Sequence, residues 1–196
     1  WNGSSWTEVN EMNTGRGDGG MFGVVPGSIA AGGYAGTLNT AVENWDGSSW
    51  TEVAELNTGR YYGCGIGTTN TAGLIVGGST PSATAANESW NGSAWTELND
   101  LNTARNRAGG SGTSTAGLAY SGAPFPKGNT ESWDGTSWTE VADLATARYG
   151  VASSPSGTSQ LALASGGYTT TQVSNTEEWS FPPPTATILN EGDIFL

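Results

Sequence analysis

The chain has 196 residues, of which 31 are glycine, nine are tryptophan and only 12% are charged; that is enough length for one domain with a real core. A net charge of −12, from 18 acids against 6 bases, argues against a nucleic-acid partner and against adhesion to anionic membranes. Histidine is absent, which removes the commonest general base and transition-metal ligand, and no apolar run is long enough to span a bilayer.

Residues 1–9 read Trp-Asn-Gly-Ser-Ser-Trp-Thr-Glu-Val, and near copies stand at 45–53, 90–98 and 133–141, with a broken copy ending at Trp179. Asn-Gly and Asp-Gly favour tight hairpins, so each copy predicts two short strands joined by a turn, with a tryptophan on each. The first tryptophans, at 1, 45, 90, 133 and 179, are spaced by 44, 45, 43 and 46 residues. That is the period of a propeller blade. The chain opens inside a repeat, as a processed chain or a segment of a longer one would. No helical period emerges over any long window.

The second tryptophans are Trp6, Trp50, Trp95 and Trp138, and each is followed ten residues later by an arginine: Arg16, Arg60, Arg105 and Arg148. A fixed offset means that this segment tolerates no insertion. A small-residue stretch follows, such as Tyr61-Tyr62-Gly63-Cys64-Gly65-Ile66-Gly67, and predicts the innermost strand, where strands of several blades crowd an axis. After a turn comes an apolar strand ending in a small pair: Gly32-Gly33, Gly77-Gly78, Ser121-Gly122 or Gly166-Gly167. A loop of variable length leads to a third strand carrying Glu43, Glu88, Glu131 or Glu177 two residues before its tryptophan. In the fourth strand, Trp and Val/Leu lie three apart, which breaks alternation and predicts a bulge or twist.

A Gly pair, then an aromatic, then Trp at a blade-length period resembles the kelch repeat, from Arg16 to Trp179. The resemblance implies an all-β protein, a propeller of four blades with four antiparallel strands each. Residues 1–181 form the repeats, and the N-terminal strand completes the last blade, closing the ring and covering its edge. An arc of a larger propeller is the alternative. Residues 182–196 begin with three prolines, end in Ile194-Phe195-Leu196 and predict an exit and docking segment.

The four arginines could grip an anion around a channel, or pair with carboxylates such as Glu52 or Glu140 to fix the architecture. The tryptophans could stack on sugars, or pack between blades. Recurrence once per blade favours the structural reading for both sets, because a site usually breaks symmetry. Candidates for ligand contact are therefore the non-repeating loop aromatics Tyr34, Tyr61, Tyr62, Phe125 and Tyr168. Asp18, Asp46 and Asp134 form no dense calcium loop. The sequons at Asn2, Asn87 and Asn91 are weak signals. Cys64 predicts a buried small hydrophobe. No catalytic residue, metal or cofactor is expected; without histidine, the copper chemistry of kelch-like oxidases and Ser-His-Asp chemistry do not carry over.

The Trp-Asn/Asp-Gly-Ser-Ser-Trp-Thr-Glu copies, poor in lysine, and the Pro-rich exit also resemble kelch-type segments in tail-associated proteins of marine bacteriophages. This implies a non-enzymatic structural or receptor-binding module of a virion appendage, a tail fibre or adhesin, with a virion or extracellular location. Its partners would be other virion proteins, copies of itself and a host-surface glycan or protein. A secreted bacterial lectin or carbohydrate-active enzyme is the second reading, and an intracellular kelch adaptor the third.

Overall fold

The computed structural model describes residues 4–154 and 157–180, and all their regular structure is strand. The first sheet is β1 (Gly20–Val24), β2 (Gly27–Ala31), β3 (Val42–Trp45) and β4 (Trp50–Glu52). The second is β5 (Cys64–Thr69), β6 (Ala72–Val76), β7 (Asn87–Trp90) and β8 (Trp95–Leu98). The third is β9 (Gly109–Thr113), β10 (Ala116–Tyr120), β11 (Thr130–Trp133) and β12 (Trp138–Val141). The fourth holds β13 (Ala152–Ser153), β14 (Leu161–Ser165) and β15 (Thr176–Ser180). Each sheet is an antiparallel meander in chain order, and β1 packs on β5, β5 on β9 and β9 on β13. The four sheets are thus the blades of a β-propeller, with their first strands innermost.

Glycine makes that inner packing possible. A Cβ on Gly65 would lie 2.0 Å from the Met21 carbonyl oxygen of the preceding blade, and one on Gly110 would lie 2.4 Å from Cys64 Sγ. Neither neighbour leaves room for a larger residue. Cys64 itself is buried among Ile66, Leu74, Val76 and Trp133, as a small hydrophobe would be.

The tryptophans bind blade to blade. Trp90 and Trp95 join Phe22, Ile29 and Leu56 of the preceding blade in one core, and Trp133 and Trp138 join Ile66, Leu74 and Leu101 in the next. Cross-strand pairs Trp45–Trp50, Trp90–Trp95 and Trp133–Trp138 have ring centroids 5.2–5.3 Å apart. Burial on this scale contributes more than any ring-ring geometry. Three of their indole N–H groups find carbonyls, Trp90 donating to Asn70, Trp95 to Ala54 and Trp133 to Ser114, whereas that of Trp138 is buried without a partner among the described residues.

Three expectations need correction. The hairpin turn is not a two-residue type: Trp45 pairs directly with Trp50, leaving a four-residue loop. Only its glycine is left-handed, at Gly47, Gly92 and Gly135 (φ 94–100°). The Asp or Asn instead folds its side chain back, so that Asp46 Oδ1 accepts the Ser48 and Ser49 amides, both at 2.8 Å. Asn91 and Asp134 do the same.

The fourth strands carry no bulge. β12 pairs residue for residue with β11 from Trp133↔Trp138 to Thr130↔Val141, and the strand simply ends at its half-buried Val or Leu. The irregularity lies instead on an inner strand, between Ile66 and Thr69.

Against the expected ring closure, the described part of the N-terminal segment, from residue 4, forms no strand on the last blade. Among the described residues the fourth sheet has three strands, residues 5–16 carry no strand, and Trp6 stands 85% exposed. Trp6 is therefore far more exposed than its counterparts Trp95 and Trp138. Asn10 and Asn13 are tied to Ser48 and Glu43 of the first blade, as Asn99 is to Thr136 and Asn57 and Asn102 are to Glu88 and Glu131. Among the described residues no strand of the fourth blade makes more than marginal contact with the first. Leu163 shows the result. Its equivalents Ile29, Leu74 and Leu118 are fully covered by the next blade, whereas Leu163 is 46% exposed. The segment 182–196 lies outside the described residues.

Candidate functional site

The repeated arginines belong to the scaffold. Each lies on the segment entering its blade and pairs with the third-strand glutamate of that same blade: Arg16–Glu43, Arg60–Glu88, Arg105–Glu131 and Arg148–Glu177. The partners are thus not Glu52 or Glu140, which face outward on fourth strands. The pairs are buried, except that Glu177 is 24% exposed. Asparagine amides complete the cage: Asn13, Asn57 and Asn102 each donate their backbone and side-chain N–H groups to one carboxylate oxygen. Burial alone would raise the Glu43 carboxyl, but hydrogen bonds from Arg16, Asn13 and Thr14 overcome it and hold the group below its ordinary 4.5. Glu177 is lowered in the same way by Arg148, Ala145 and Thr146. Apart from the buried Nε of Arg148, which has no partner among the described residues, these groups are satisfied within their own blades and are closed to a ligand.

Symmetry breaks immediately after each arginine. The residue two positions on is Asp18, Tyr62, Arg107 or Gly150, and all four are left-handed, with φ of 58°, 57°, 52° and 66°. For the three non-glycine residues this conformation costs on the order of 1–3 kcal/mol each. A chain of backbone bonds around the axis holds it: Tyr62 N–H to Asp18 O (2.6 Å), Arg107 N–H to Tyr62 O (3.1 Å) and Gly150 N–H to Arg107 O (2.9 Å). These residues, with Gly19, Gly63, Ala108 and Val151, line an open cavity of about 340 Å³ at the axis.

The residue one position after each arginine pairs, strand-like, with the loop that follows the second strand. The pairs are Gly17–Tyr34, Tyr61–Ser79, Asn106–Ala123 and Tyr149–Tyr168. Tyrosines consequently cluster at this end. Tyr34 and Tyr61 have ring centroids 5.7 Å apart, Tyr61 and Tyr62 4.6 Å, and Tyr149 and Tyr168 5.2 Å. A second cavity of about 390 Å³, lined by Asp18, Tyr34, Leu38, Tyr61, Tyr62 and Pro81, adjoins the axial one through Asp18 and Tyr62. Between the two tyrosine groups stands Arg107, its guanidinium carbon 4.0 Å from the Tyr62 ring centroid and 5.8 Å from that of Tyr149.

Four of the five predicted aromatics therefore meet at one end of the propeller: Tyr34, Tyr61 and Tyr62 on one side of the axis and Tyr168 on the other. Phe125 is not among them. It sits on its own loop, 84% exposed and left-handed, with no ring contact among the described residues. The sequence patterns do not single out Arg107 or Tyr149, and they offer Asp18 only as a calcium ligand. Aligning the four copies on their arginines would have singled out all three, since the next two positions vary within an otherwise constant segment. Asn87 is 1% exposed and closed to glycosylation in the fold. Among the described residues no three His, Cys, Asp or Glu side chains gather as a metal site.

No known protein family matches this sequence, and no curated protein is detectably similar to it.

Proposed function

We propose that this propeller is a non-enzymatic receptor-binding module, of kelch type, that presents the tyrosine-lined end to a host-surface glycan as part of a phage virion appendage. The single observation carrying the reading is the asymmetric mouth. Tyr34, Tyr61 and Tyr62 form an aromatic shelf at positions where the repeat is otherwise free to vary, beside polar groups that fix orientation. Aromatic faces suit the apolar faces of sugar rings, and a few convergent polar groups give specificity. The two adjoining cavities contain one carboxylate, Asp18; glycoside hydrolysis by paired acids needs two. The likeness of the repeat words to phage tail-associated segments supports the virion setting, and a rigid ring with variable loops suits display.

A glycan array probed with the purified chain, followed by Tyr34→Ala and Tyr61→Ala, tests the binding. Loss of array signal in both variants without loss of folding is the expected result, and a wild-type chain that binds no glycan refutes it. Mass spectrometry of purified particles tests the setting. A secreted lectin would show the same binding with the chain absent from virions.

A further inference from the structure

Resting on the glycan-binding reading, we infer that the axial cavity selects a carboxylated sugar, with Arg107 as the residue that receives the carboxylate. The chain has five arginines, and Arg16, Arg60, Arg105 and Arg148 are each buried in an ion pair. Arg107 is the exception. Its side chain makes no hydrogen bond and no ion pair among the described residues, and its guanidinium lies over the Tyr62 ring and near that of Tyr149. Asp18 lines the same cavity, yet no salt bridge joins the two.

An arginine has five N–H donors in a planar fork that matches a carboxylate in two parallel bonds. Stacking on Tyr62 fixes the plane of that fork and leaves its edge open. The backbone beneath is equally fixed, because Arg107 is held left-handed by bonds to Tyr62 and Gly150. The group is therefore positioned before any ligand arrives, which lowers the entropy lost on binding.

The surroundings decide which anion fits. The chain carries −12 overall, and Asp18 faces the same space. A densely sulfated or phosphorylated ligand would meet repulsion with only one cation to offset it, whereas a single carboxylate on a neutral ring matches one fork. Asp18 then accepts sugar hydroxyls. The shelf of Tyr34 and Tyr61, reached through Asp18, takes the face of the neighbouring sugar. The ligand class is a uronic- or sialic-type residue next to a neutral one.

The test is an array of free-acid, methyl-esterified, sulfated and neutral oligosaccharides, followed by calorimetry on the best ligand with wild type, Arg107→Lys and Arg107→Gln. Preferred binding of free acids is expected, with affinity falling ten- to a hundredfold on methyl esterification or in Arg107→Gln, and less in Arg107→Lys. Binding of the ester should be unchanged by Arg107→Gln. Equal binding of acid and ester, preference for neutral or sulfated chains, or equal loss for every ligand in Arg107→Gln overturns the inference while leaving glycan binding standing. Silence across the whole array overturns both. Thermal melts of the variants check that they fold, and Arg107→Gly, which relaxes the backbone, stands in for any that does not.

Discussion

Arg105→Met should be among the most damaging single changes to this fold. Arg105 is fully buried and donates to Glu131 at 2.5 Å, to the carbonyls of Asn129 (2.6 Å) and Ser121 (3.2 Å), and through Nε to Thr103 O (3.2 Å). Methionine fills much of the space and satisfies none of these. The Glu131 carboxylate keeps the Asn102 and Thr103 amides but loses its countercharge in a site where its side chain is 1% exposed. Leaving a buried charge unpaired costs about 3–5 kcal/mol, and a domain of this kind has about 5–15 kcal/mol in total. Urea denaturation followed by tryptophan fluorescence should therefore show a midpoint lowered by roughly a fifth or more. The second measurement is the stringent one. Adding Glu131→Gln to Arg105→Met removes the stranded charge, so the double variant should be more stable than the single by about 1–2 kcal/mol. A double variant less stable than the single would refute the reasoning, as would a single variant costing under about 1 kcal/mol.

Three further outcomes follow from the same geometry. Leu163→Glu should change stability by less than about 0.5 kcal/mol, whereas Leu118→Glu at the equivalent covered position should cost more than about 3 kcal/mol; equal costs in chemical denaturation would mean that the fourth blade's outer face is covered after all. Glu43 and Glu177 have folded values below the ordinary 4.5, so their contribution is intact above that value and is withdrawn as pH falls through the depressed folded values. The urea midpoint should hold from about pH 7 to 5.5 and drop below about pH 4.5, and a midpoint that rises on acidification counts against the pairs. Burial pushes the Cys64 thiol up to about 12, so alkylation by iodoacetamide at neutral pH should proceed only at the rate of unfolding, and fast labelling of the native protein would show that the inner strand is open.

The blades were legible in the sequence because they repeat. Four copies of one pattern fixed the period, the innermost strand with its glycines, and the tryptophans as inter-blade packing. What failed was what the repeats share with other possible structures. Asp46-Gly47 is compatible with several turns, and only the side-chain bonds to Ser48 and Ser49 distinguish the four-residue loop. The partner of Arg60 could have been any nearby glutamate, and Glu88 wins because the entering segment runs beside the third strand. The ring closure expected of residues 6–9 depends on how far four blades turn, a global angle that no local pattern encodes. In the site, aromatics stand out by type, whereas Arg107 is hidden beside four arginines that look identical in sequence. Its difference is one of address: two residues past Arg105, on the axis instead of inside a blade.

The location of the arginine–glutamate pairs within blades, and not across them, has an evolutionary consequence. Every unit brings both halves of its own internal electrostatic clasp, so a unit gained or lost by recombination leaves no charge widowed in its neighbours. Lineages carrying such a unit are free to lengthen or shorten the array, and selection can then work on the few mouth residues that differ from one unit to the next.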